Sequence, residues 1–87
     1  MELYEEVKKL INNIYRIRSG ILPKITKKFT LDENLCVFIN HFRVFTTITV
    51  IQNGNEYRLT EKKLMDIDEK TLSRIRLTLE EFLINYI

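Results

Sequence analysis

His41 and Cys36 are the only imidazole and the only thiol in the chain, the side chains that most often supply general acid–base, thiolate or soft-metal chemistry. Such chemistry needs a base held beside a nucleophile and an orienting group. The neighbourhood of His41 supplies no such set. Its place beside Asn40, at a strand end or turn, reads as that of a surface or half-buried ring. Cys36 reads as a small apolar strand residue, because free cysteine is commonly buried and inert. A metal set drawn from Asp32, Glu33, Cys36 and His41 fails on geometry, since residues five apart on one strand point to opposite faces. No paired C-x-x-C or H-x-x-x-H spacing is present. The carboxylate pairs Asp66/Asp68 and Glu80/Glu81 suit helix capping and a solvated helix face. The two glycines form no phosphate-binding loop. The expectation is a chain that is not an enzyme, with no catalytic residues, cofactor, metal or small-molecule substrate.

Charge is the sharper signal. Residues 7–31 contain Lys8, Lys9, Arg16, Arg18, Lys24, Lys27 and Lys28 and no acid. The rest of the chain holds seven basic against twelve acidic residues, net −5, behind an overall charge of +2. Arg16, Arg18, Lys24, Lys27 and Lys28, with Tyr15 and Phe29 nearby for stacking, are the candidate nucleic-acid-binding set. Against it, Lys9 and Arg16 fall where a solvated helix face would be, and no helix-turn-helix, ribbon-helix-helix or zinc-finger pattern is visible.

The elements that would position these residues follow from periodicity. Leu3, Val7, Leu10, Ile14 and Ile17, widened by Tyr4, Ile11 and Tyr15, predict a deeply embedded helix over residues 2–18. Glutamates lie at its start and arginines at its end, matching the helix dipole, and Gly20 and Pro23 follow as stop signals. In residues 46–59, Asn53-Gly54 predicts a type I′ hairpin turn. That turn pairs Gln52 with Asn55, Val50 with Tyr57 and Ile48 with Leu59 on one face, leaving Thr47, Thr49, Glu56, Arg58 and Thr60 on the other. Residues 24–31 and 35–42 read as strands around an Asp32-Glu33-Asn34 turn, although residues 35–52 also suit one long bent strand. A second helix runs from an Asp68 cap to the last residue, with Ile67 and Leu72 as a hydrophobic staple. Leu77 and Ile84 lie off its main apolar stripe.

These elements predict a single two-layer α+β domain over residues 1–87, α-β-β-β-β-α with a three- or four-stranded antiparallel sheet and both helices on one face. With 45% hydrophobic and 30% charged residues the chain belongs among folded globular proteins. No apolar run approaches the ~20 residues of a membrane span. One cysteine and no charged-then-apolar leader predict a reducing cytoplasm. The absence of alanine and the wealth of Ile, Lys, Asn, Phe and Tyr follow AT-rich codons. A virus or mobile element fits that bias, with the host cytoplasm then the location, as does a low-GC bacterial or archaeal chromosome.

Strand alternation sets the functional expectation. Phe38, Phe42, Phe45 and Ile51 cannot all face one thin core. Leu77, Ile84, Phe45 and Ile51 are therefore the candidate protein interface, a homodimer being the commonest arrangement. The expected function is a non-catalytic adaptor or inhibitor acting by protein–protein contact, with a nucleic-acid-binding regulator using residues 16–28 as the alternative.

Overall fold

The computed structural model describes residues 2–17, 25–42 and 45–86. The elements run α1 (Glu2–Tyr15), β1 (Ile25–Asp32), β2 (Leu35–Phe42), β3 (Phe45–Gln52), β4 (Asn55–Arg58), α2 (Glu61–Leu64) and α3 (Glu69–Tyr86). This is the expected α-β-β-β-β-α order with one addition, the single-turn α2. The strands form one antiparallel sheet in the order β1-β2-β3-β4, so residues 35–52 are two strands and not one bent strand.

The hairpin register agrees with the sequence reading: Gln52 pairs with Asn55, Val50 with Tyr57, and the Leu59 amide donates to the Ile48 carbonyl at 2.8 Å. Asn53 at φ 52° and Gly54 at φ 82° supply the two left-handed residues that let a two-residue turn match the sheet's twist. At the same end of the sheet, Asp32 Oδ1 accepts the Asn34 amide at 2.7 Å, closing the β1–β2 turn. The Asn53 amide then donates to the Asn34 carbonyl at 2.9 Å and ties the two turns together.

Register converts sequence alternation into two faces. One row crosses all four strands as Phe29, Val37, Val50 and Tyr57, and the next as Lys27, Ile39, Ile48 and Leu59. Val37, Val50, Ile39, Ile48 and Leu59 are buried. Above them lie Val7, Ile11 and Ile14 of α1 and Leu72, Ile75, Leu79 and Phe82 of α3, all in the same core. Both helices therefore cover one side of the sheet. Tyr15 donates from its hydroxyl to the Leu59 carbonyl at 2.8 Å, anchoring the end of α1, and burial pushes that phenol's pKa up. Arg74 of α3 reaches Asp32 and the Leu31 carbonyl, the latter at 2.8 Å, because a register shift between Thr30 and Asp32 lets the carboxylate turn toward the helix.

Helix ends account for the departures from the predicted spans. The Arg16 amide still bonds the Asn12 carbonyl, but the Ile17 amide closes a three-residue turn onto Ile14, so α1 stops at Tyr15 while Ile17 stays buried. The stop signals Gly20 and Pro23 lie outside the described residues. Asp68 caps α3 as expected, accepting the Thr71 amide at 3.0 Å. The short α2 escaped prediction because four residues carry no periodicity; its signal is local, the Thr60 hydroxyl accepting the Lys63 amide at 3.3 Å.

Candidate docking surfaces

Among the described residues no helix lies over the far side of the sheet. There, register builds rows of opposite character to the core: Thr30, Cys36, Ile51 and Glu56 form one, and Lys28, Phe38, Thr49 and Arg58 the next. A third row holds Thr26, Asn40 and Thr47, with the Thr26 hydroxyl donating to Asn40 Oδ1 at 2.7 Å. Of the predicted polar set, Thr47, Thr49, Glu56 and Arg58 are thus on the side opposite the core, which they share with apolar residues from β2 and β3, whereas Thr60 lies beyond β4 and caps α2. Phe38 and Ile51 are half-buried, and the Lys28 ammonium lies 5.8 Å from the centre of the Phe38 ring. Between them the side chains of this face border a shallow hollow of about 450 Å³. Phe45 begins β3 at the far end of the face and is 69% exposed.

The four residues expected to form one interface fall on two surfaces. Ile51 and Phe45 belong to the open sheet face, while Leu77 and Ile84, 57% and 80% exposed, lie on α3 away from its buried stripe. The sheet lies between the two pairs, so they cannot meet one partner surface. Phe38 belongs with Ile51, and its signal was the flanking pair Val37 and Ile39, whose burial forces Phe38 outward. A third apolar region was not foreseen. Tyr4, Leu64, Met65, Ile67 and Leu72 border a groove of about 360 Å³ where α1, α2 and the start of α3 converge, with Met65 77% exposed. It exists only because α2 turns the chain there.

The basic segment is dispersed. Arg16 is exposed just beyond α1, and the side chains of Lys27 and Lys28 leave opposite faces of β1, as strand alternation requires. Arg18 and Lys24 lie outside the described residues. The same alternation separates Cys36 and His41: the thiol is half-buried on the open face, with its sulfur 3.9 Å from the Thr30 hydroxyl, and the imidazole is on the helix side. His41 corrects the expectation of a surface or half-buried ring. It is 0% exposed, with Nδ1 2.7 Å from the Thr46 hydroxyl. Its Nε2 is the one buried side-chain polar atom among the described residues that lacks a hydrogen-bond partner. Among those residues no cluster of His, Cys, Asp or Glu has metal-binding geometry.

Near the β3–β4 turn, Tyr57 donates to Gln52 Oε1 at 3.2 Å, Gln52 donates to the Thr71 hydroxyl at 3.4 Å, and Lys63 lies 4.9 Å from the Tyr57 ring centre. These groups engage one another and hold the hairpin against α2 and α3. No helix among the described residues is long and apolar enough to cross a membrane. No protein-family model, curated protein or solved structure matches this chain.

Proposed function

We propose that this protein is a non-catalytic macromolecule-binding protein, an adaptor or inhibitor that works by protein–protein contact. The observation that carries the reading is the one-sided sheet: four strands present Phe38, Ile51, Cys36 and Phe45 on a face that no element of the described fold covers. Antiparallel sheets can leave one face in water, and those that do are usually polar on that side. An aromatic ring and an isoleucine in the two central strands make this face suited to contact. The outer side of α3, with Leu77 and Ile84, offers a second and separate surface for a target. Action in the cytoplasm, the host's if the source is viral, accords with the single cysteine.

Affinity capture from the source cell with three baits tests this: the wild type, Ile51→Lys on the sheet face, and Leu77→Glu with Ile84→Glu on α3. All substituted side chains are half-covered or exposed, so the fold should survive. A protein recovered with the wild type and lost with one variant supports the reading, and identical recovery with all three overturns it. The nucleic-acid alternative rests on the Lys28 and Phe38 pair, a cation beside an aromatic on an open sheet. It requires retention of the wild type on DNA or RNA at low salt that weakens as salt rises.

A further inference from the structure

We infer that the open sheet face is occupied by a second copy of this chain, packed face to face about a two-fold axis perpendicular to the strands. This rests on the reading of that face as a contact surface and names its partner. The argument is one of self-complementarity. Glu56 and Arg58 are two residues apart on β4, so both project from the open face, about 7 Å apart along the strand. Glu56 closes the row that contains Cys36 and Ile51, and Arg58 closes the adjacent row that contains Phe38 and Thr49.

An in-plane two-fold axis running between these two rows lays each row over the other. Glu56 then meets the partner's Arg58 and Arg58 meets the partner's Glu56, giving two reciprocal ion pairs at one rim. In the middle, Cys36 faces the partner's Phe38 and Ile51 faces the partner's Thr49, so the half-covered apolar groups of both copies close into one layer. Sheets stacked this way sit about 10 Å apart, within reach of extended Glu and Arg side chains meeting from both sides. A two-fold parallel to the strands would instead bring Lys28 over the partner's Arg58. Charge therefore selects the perpendicular axis.

The size of the face agrees with a weak, specific dimer. Strands spaced about 4.8 Å apart, three of eight residues and one of four, give a footprint of about 450 Å² per subunit, or roughly 900 Å² in all. That falls just below the ~1,000 Å² of a stable specific interface and marks a weak, transient dimer, for which the expected Kd is micromolar or weaker. A polyanion is a poorer occupant, because Glu56 sits directly beside Ile51 and partly cancels Lys28 and Arg58. Pairing through this face also leaves Leu77 and Ile84 outside the sandwich, free to take a target on either flank.

The test is sedimentation equilibrium on the full chain from about 1 to 300 µM, spanning the expected Kd. The wild type should dimerise. Glu56→Arg and Arg58→Glu should each weaken self-association by about tenfold or more, since each converts two attractions into two repulsions. The doubly swapped chain, and an equimolar mixture of the two single variants, should recover dimer, because only those combinations restore both reciprocal pairs. Both positions are exposed, and unchanged far-ultraviolet circular dichroism shows that each variant is folded. The inference fails if the wild type stays monomeric throughout, if the single swaps associate like wild type, or if the mixture does not recover. It also fails if monomeric wild type binds a single-stranded oligonucleotide in a manner lost with Lys28→Glu. A monomeric wild type whose target capture is still abolished by Ile51→Lys would remove the second copy alone and leave the contact function standing.

Discussion

Thr46→Val should cost this domain about 2 kcal/mol although it changes one hydroxyl for a methyl, because it removes the one hydrogen-bonding contact that a fully buried imidazole makes among the described residues. His41 and Thr46 are register partners on β2 and β3; the ring is fully buried and the threonine is 5% exposed. The Thr46 hydroxyl, 2.7 Å from Nδ1, is the ring's one hydrogen-bonding contact among the described residues, and Nε2 has none. In either neutral tautomer Nε2 is already an unpaired donor or acceptor. Removing the hydroxyl leaves both nitrogens without a partner among the described residues, and a newly orphaned buried polar atom costs about 1–3 kcal/mol. For a domain of this size that corresponds to a fall in Tm of roughly 10 °C. Adding His41→Leu to Thr46→Val replaces the whole polar pair by apolar groups of similar volume and should return stability to the wild-type level or above. Urea unfolding of the wild type, both single variants and the double variant at one pH completes the cycle and yields the coupling directly. Two results would refute the reasoning: Thr46→Val as stable as wild type, or a double variant less stable than Thr46→Val alone.

Two further perturbations probe α3. Phe82→Ala, at a fully buried side chain, should cost about 3–5 kcal/mol and bring the domain close to unfolding, whereas Leu77→Ala on the outer side of the same helix should stay within about 0.5 kcal/mol; urea midpoints separate them. At the start of α3, the hydroxyl and backbone amide of Thr71 hold the Asp68 carboxyl below its ordinary value of 3.8. With a depressed folded-state pKa, that stabilisation is complete above the ordinary value and is lost as pH falls through the folded one. Asp68→Asn, an equally good cap without a titrating group, should leave neutral-pH stability nearly unchanged and flatten the decline in Tm below about pH 4.

The elements most legible in the sequence were those whose signals are local. The Asn53-Gly54 turn fixed the register of its hairpin, and with it which residues of β3 and β4 share a face, because a two-residue turn permits one pairing and a slip would invert every side chain. Asp68 was readable as a cap since its bond spans three residues. The candidate site was half legible. Alternation showed that Phe38, Phe45 and Ile51 could not all be interior, but it does not say which surface each surplus residue joins. Leu77 and Ile84 were therefore grouped with residues that lie across the sheet from them.

Length, composition and periodicity by themselves determined two amphipathic helices, a sheet of three or four strands and an excess of apolar side chains over what one layer of core can hold. Only the tertiary structure decided that the surplus divides between the sheet face opposite the helices, with Phe38, Phe45 and Ile51, and the outer side of α3, with Leu77 and Ile84, and that His41 is enclosed instead of surface-bound. The physical reason is that periodicity specifies which side of an element is apolar, an intrachain and short-range property. What covers that side depends on contacts between residues far apart in sequence, such as Arg74 with Leu31 and Tyr15 with Leu59, which no local pattern encodes.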